Sequence, residues 1–131
     1  MSVDEKEKRQ PVVFFVDDEP ELRGAFSTLL RKRGFKVLEA GNAEEAGRRI
    51  EQIAEPIDVL LMDINLPDGW GATVAQHLLL SHPEMVVVYI TGFAQDDPIL
   101  SGALHDATYV LRKPFTGEEL GEVLRSAMEG R

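Results

Sequence analysis

The stretch VVFFVDDEPE, residues 12–21, passes from five apolar residues directly into three acids. An apolar run without alternation is typical of a strand buried on both faces, as in a parallel sheet covered by helices. Carboxylates favour water and complement the positive end of a helix, so the acids are expected where the strand leaves the core and a helix begins. The stretch therefore predicts a buried strand that ends at a charged edge.

The same alternation of strand and helix recurs along the chain. Apolar residues return at helical spacing after each strand-like run, and Asn42 with Glu45 and Thr116 with Glu119 predict capping boxes. We expect the first helix to end near Gly34, and a weakly patterned fourth helix. The further strands are predicted at 35–39, 57–62, 85–91 and 108–112, and the fourth helix around 98–105.

Five strand–helix units in succession predict an α/β fold. Right-handed crossovers favour a five-stranded parallel, doubly wound (flavodoxin-like) sheet of order 2-1-3-4-5, with helices on both faces. Five strands are too few for a β/α barrel. We expect residues 1–10 to be a charged tail and residues 11–131 to form one domain.

Composition excludes several classes of protein. The chain has 131 residues, a net charge of -9 and no cysteine, so a basic nucleic-acid surface, disulfides and thiolate metal sites are not expected. The first ten residues lack the apolar core of a signal peptide, and the longest apolar run, 85–90, is too short to cross a membrane. We expect a cytoplasmic protein without membrane insertion.

Polar residues stand where the predicted strands end. Asp17 and Asp18 follow the first strand, Asp63 ends the third, Thr91 the fourth and Lys113 the fifth. Ligands of such sheets bind at the carboxyl ends of the strands, so these side chains are expected to converge there.

Three neighbouring carboxylates repel one another unless a cation lies among them. Magnesium (Mg²⁺) suits them best, because it prefers hard oxygen ligands, and no histidine follows these strands to suggest a transition metal. If a phosphoryl group arrived, Asp63 could attack phosphorus while the metal, Lys113 and the Thr91 hydroxyl stabilised the phosphoryl oxygens. A carboxylate nucleophile needs no general base.

These four motifs, in this order, resemble the receiver domain of two-component response regulators, over about residues 11–128. The resemblance implies that Asp63 accepts a phosphoryl group, with Mg²⁺, from a histidine kinase, a phosphotransfer protein or a small phosphodonor. It implies direct metal ligation by Asp18 and Asp63, ligation through the Asn65 carbonyl, and contact with Asp17 through water. It further implies that Lys113 pairs with a phosphoryl oxygen before a cis peptide bond to Pro114, and that Gly71 is the loop glycine of the family.

The chain departs from the family pattern at the aromatic residue that usually stands three positions before the lysine. Val110 occupies that position and Tyr109 precedes it, so either the strand is bulged or the usual aromatic switch is absent. Asp106 stands where a glycine is frequent before the fifth strand. Phe93, two residues past Thr91, predicts slow loss of phosphate, because its bulk hinders an attacking water.

There are two alternatives. The chain could be a receiver-like interaction module that is not regulated by phosphorylation; the presence of all the acids, the threonine and the lysine argues against it, whereas Val110 and Phe93 leave it open. A phosphohydrolase of the haloacid-dehalogenase type is disfavoured, because it needs a second acid where Asn65 stands. The end of the chain after the fifth helix fits a single-domain regulator, a receiver from a larger regulator or the receiver of a hybrid kinase, and a homodimer is possible.

Overall fold

The computed structural model describes residues 9–92 and 109–130, and it contains the predicted parallel sheet. The strand order is 2-1-3-4-5, as expected from the succession of units. The strands are β1 (Val12–Val16), β2 (Lys36–Ala40), β3 (Val59–Asp63), β4 (Val86–Thr91) and β5 (Val110–Arg112).

Four helices of the described chain cover both faces of the sheet. They are α1 (Pro20–Lys32), α2 (Ala43–Ile50), α3 (Gly71–Leu78) and α4 (Gly117–Glu129). Alternate residues of β1 divide between two cores, so that Phe14 packs on the side of α2 and α3 and Phe15 on the side of α1 and α4. Both rings are fully buried, which confirms that β1 is buried on both faces of the sheet. None of the helices in the described ranges combines the length and apolar character needed to cross a bilayer.

The helix ends follow the local signals of the sequence. Gly34, with φ of 95°, ends the turn after α1 in a conformation that suits glycine. The predicted capping box of α4 is confirmed, with both halves formed by Thr116 and Glu119. The one predicted for α2 is only half present, because Asn42 accepts the Glu45 N–H but the reciprocal contact is not made. The Glu45 carboxylate pairs with Arg49.

The predicted strand bounds differ from the observed ones by up to two residues. The third strand, for example, was predicted over 57–62 and is observed over Val59–Asp63. The expectations for the fourth helix around 98–105, for the start of the last strand at 108, and for Phe93 and Asp106 lie outside the described residues. They stay predictions.

The register of β5 answers the question raised by Val110. Val110 pairs with Tyr89 and the next two residues continue in step, so the strand is regular and not bulged. Tyr109 packs on the α4 side, where its hydroxyl donates to the Ser126 carbonyl at 3.2 Å, while Val110 is 38% exposed on the other face. No aromatic ring of β5 therefore lies on the face that Val110 occupies.

A buried acid lies at the amino edge of the sheet, where the strands begin. Asp58, 1% exposed, precedes β3, and its carboxylate accepts the Val12 N–H at 2.7 Å and pairs with Arg9 at 2.7 Å. Arg9, which the sequence assigns to the tail, thus contacts the folded core.

We predict that Asp58→Ala lowers the free energy of unfolding by about 2–4 kcal/mol, because it leaves the Val12 N–H and the Arg9 guanidinium without their buried partner. Urea unfolding followed by circular dichroism measures the change. The control is Glu55→Gln, which breaks an exposed ion pair with Lys36 and should cost less than about 0.5 kcal/mol. Equal costs for the two variants would contradict the importance of the buried contact.

Candidate functional site

The carboxyl edge of the sheet brings the predicted polar residues to one place. Asp17 follows β1 and Asp63 ends the neighbouring β3, so the two acids lie side by side. Lys113 reaches both from the end of β5, with its Nζ 3.2 Å from Asp17 Oδ2 and 3.1 Å from Asp63 Oδ2. The convergence expected from the strand ends is therefore present in the fold.

Asp17 and Asp63 are buried, which differs from the expectation that acids beyond the first strand stay in water. Asp17 has no exposed surface and Asp63 is 4% exposed. Backbone N–H groups compensate part of the desolvation, since Glu19 N donates to Asp17 Oδ1 at 2.8 Å and Asn65 N to Asp63 Oδ1 at 3.0 Å. The loop after each strand thus folds back onto the carboxylate that begins it.

Burial and mutual repulsion disfavour ionisation of this pair. The pKa of Asp63 is raised to about 6: burial is the largest cause, the nearby Asp17 charge adds to the rise, and the Asn65 N–H and Lys113 oppose it. Burial likewise raises the pKa of Asp17. Burial lowers the pKa of Lys113, but the Asp17 and Asp63 charges outweigh that effect and the net shift is upward. Lys113 therefore remains an ammonium ion between the two acids.

The arrangement fits a divalent cation. Asp17, Asp18 and Asp63 each offer a carboxylate oxygen, and these atoms lie within 4.8 Å of one another. Asp17 Oδ2 is buried without a hydrogen-bond donor, although Lys113 lies near it, so it retains a lone pair for a further cation. Oxygen ligands of this number and charge suit Mg²⁺.

Thr91 and Asn65 take the positions expected from the sequence. Thr91 ends β4 with no exposed surface, and its carbonyl accepts the Lys113 N–H at 2.8 Å. Asn65 lies two residues beyond Asp63 and opens a two-residue strand that pairs with Trp70. The peptide bond between Lys113 and Pro114 is cis, as the family resemblance implied.

Gly71 closes the loop that follows Asp63. Its N–H donates to the Ile64 carbonyl at 2.7 Å, and a Cβ atom at this position would collide with the Asp63 carbonyl oxygen and with Ile64 Cα. Only a glycine lets the start of α3 approach the backbone of Asp63 so closely.

Sequence reasoning missed three side chains that hold this edge. Arg23 Nη1 donates to the Asp17 carbonyl and Arg23 Nε to Glu39 on β2. Asp68 accepts the Ala43 and Glu44 N–H groups at 2.8 and 3.0 Å, contacts that hold the pKa of Asp68 below its usual range.

The third residue is Glu19, which the sequence assigned to the helix start alone. It occupies the N-cap position of α1 but makes no capping hydrogen bond, and its Oε1 lies 3.4 Å from Lys113 Nζ. No local signal separates it from Glu21, because the partner is distant in the sequence.

We predict that Asp63→Asn stabilises the metal-free protein at pH 7.5 by about 1–2 kcal/mol, because it removes a buried charge beside Asp17. Because its pKa is raised, Asp63 binds a proton more tightly in the folded protein than in the unfolded chain. The wild type therefore keeps this stability below the unfolded value of 3.8 and loses it as the pH rises through about 6.

Chemical unfolding in EDTA at a series of pH values from 4 to 8 measures the effect, and the gain from Asp63→Asn should grow up to a pH of about 6 and then level off. Glu122→Gln, on the exposed side of α4, serves as the control and should show no such trend. A gain that is independent of pH, or a loss of stability at pH 7.5, would contradict the raised pKa.

Known proteins resemble this chain in sequence and in fold. The chain is 28% identical over 89% of its length to the sensor kinase CckA of Brucella abortus, and 31% identical over 88% of its length to the response regulator PilR of Pseudomonas aeruginosa. It spans 12% of CckA and 26% of PilR. A receiver domain structure from Methanospirillum hungatei superposes with a TM-score of 0.82 at 24% identity, covering 93% of this chain and 96% of that one.

The family model described as the response regulator receiver domain matches residues 13–125. That range includes β2 to β5, all of β1 except its first residue, and every side chain at the carboxyl edge described above. The chain therefore belongs to the response regulator receiver domain family.

Proposed function

We propose that this chain is the phosphoacceptor domain of a two-component system or phosphorelay, and that Asp63 is the phosphoacceptor. The observation that carries the proposal is the contact of one ammonium, Lys113, with two buried acids at the carboxyl edge of the sheet. Receiver domains are signalling domains of response regulators, and this chain keeps the acids, the hydroxyl and the lysine of that site.

The proposed reaction moves a phosphoryl group from a phosphohistidine to Asp63. A carboxylate oxygen of Asp63 attacks phosphorus, the P–N bond breaks, and its electron pair returns to the imidazole. With a pKa of about 6, Asp63 is mostly ionised at neutral pH and needs no general base. The product is an aspartyl phosphate.

The surrounding residues neutralise and orient the transferred group. Lys113, already 3.1 Å from Asp63 Oδ2, donates to one phosphoryl oxygen, and the Thr91 hydroxyl donates to another. Asp18 and Asp63 would hold Mg²⁺ directly, Asn65 through its carbonyl and Asp17 through water. The bound ion supplies positive charge to the phosphoryl oxygens.

Partners follow from this role. A histidine kinase or a phosphotransfer protein supplies the phosphoryl group, and phosphorylation changes the surface offered to an output partner or to a second copy in a homodimer. The domain assists its own phosphorylation and dephosphorylation without being a turnover enzyme. We place it in the cytoplasm, as one domain of residues 11–131 after a charged tail, with no direct contact to nucleic acid.

We predict that acetyl phosphate with Mg²⁺ adds the mass of one phosphoryl group to the protein, and that fragmentation maps it to Asp63. Omission of Mg²⁺ or the variant Asp63→Asn should abolish the addition. Lys113→Met should slow it by about 100-fold, because it removes a charge that faces the transferred group.

Lys36→Met is the matched control, since Lys36 pairs with Glu55 on the surface, at the start of β2 and far from the carboxyl edge of the sheet. It should leave the rate unchanged. Labelling that persists in Asp63→Asn would contradict the assignment, and a wild type that is never labelled would favour the interaction module instead.

A further inference from the structure

Glu19 is the third of the consecutive acids that follow β1, and neither the metal set nor phosphoryl transfer uses it. It stands at the N-cap of α1 with extended backbone angles, φ -91° and ψ 100°, yet its side chain makes no capping hydrogen bond. Instead its Oε1 lies 3.4 Å from Lys113 Nζ. The contact is long-range in sequence, and so it depends on the fold and not on the helix start.

Lys113 therefore has three anionic partners, and they differ in depth. The Asp17 and Asp63 side chains are 0% and 6% exposed, whereas the Glu19 side chain is 55% exposed. The ammonium thus lies between an inner pair of acids and one acid at the mouth of the site. Glu21, in the first turn of the same helix, makes no ion pair among the described residues.

The inner pair has two competing uses. Asp17 and Asp63 hold the Lys113 ammonium, and the same two carboxylates belong to the cluster that fits a divalent cation. An ammonium ion and Mg²⁺ repel each other at such short range. An anion on the outer side of the Lys113 ammonium attracts it outward and so weakens its contacts with the Asp17 and Asp63 carboxylates.

We propose that Glu19 is a positioning residue that draws the Lys113 ammonium toward the mouth of the site and leaves Asp17 and Asp63 available to Mg²⁺. The inference rests on the proposed function, because it concerns the metal and the lysine of that site. In it, Glu19 acts through Lys113 and touches neither the metal nor the phosphoryl group.

The test is the dissociation constant of Mg²⁺, measured by isothermal titration calorimetry at fixed pH and ionic strength. Glu19→Gln should weaken Mg²⁺ binding about three- to fivefold, the range of a partly exposed ion pair. Glu21→Gln removes the same charge from the same helix and should change binding less than about 1.5-fold, since its field is screened by water.

A double-mutant cycle separates action through Lys113 from direct attraction of the metal. In a Lys113→Met background the competing ammonium is gone, so Glu19→Gln should change Mg²⁺ binding less than about 1.5-fold. Lys113→Met alone should bind Mg²⁺ more tightly than the wild type. Circular dichroism melts of each variant confirm that the fold is retained.

Two results would overturn the inference. Equal effects of Glu19→Gln and Glu21→Gln would show that Glu19 is an ordinary acid of the helix start. A Glu19 effect that persists undiminished without Lys113 would show direct attraction of the ion. Either result leaves Asp63 labelling intact, whereas a wild type that binds no Mg²⁺ would overturn this inference and the metal part of the proposed function together.

Discussion

The carboxyl edge of the sheet depends on the contacts that the Lys113 ammonium makes with two buried acids. Two carboxylates that are almost wholly buried, Asp17 and Asp63, stand side by side because β1 and β3 are neighbours in the sheet. Without a cation, burial and repulsion would force at least one of them to take up a proton. Lys113 contacts both, and it can do so only because β5 ends at the same edge.

The rest of the edge holds these charges in place. Backbone N–H groups of the two loops satisfy one oxygen of each acid, and Arg23 secures the Asp17 carbonyl. Gly71 permits the close return of the chain after Asp63. Such preorganisation lets a cation or a phosphoryl group meet charges that are already oriented, which is the main contribution that a protein makes to phosphoryl transfer.

Much of this edge could be predicted from the sequence, because strand ends in a parallel sheet share one side and motifs at those ends must meet. The first apolar run predicted the bounds of β1, and the order of the motifs predicted that Asp63 and Lys113 lie close together. Contacts between distant segments could not be predicted. Glu19 looks like any helix-start acid until the fold brings Lys113 beside it, and Asp68 caps a helix that begins 25 residues earlier. The burial of Asp17 likewise depends on neighbouring strands that a local pattern does not contain.

We infer that Asp63 is a buried carboxylate whose negative charge is balanced by Lys113 and which can bind a metal ion. Carbon-13 NMR of the Asp63 carboxyl, followed against pH with and without Mg²⁺, tests it most directly. We expect Asp63 to titrate with a pKa of about 6 in EDTA. Saturating Mg²⁺ should lower that pKa by more than about one unit, because the ion favours the carboxylate. A pKa near 3.8 in EDTA, or one that Mg²⁺ does not change, would show that Asp63 is neither shifted by burial nor a ligand of the ion.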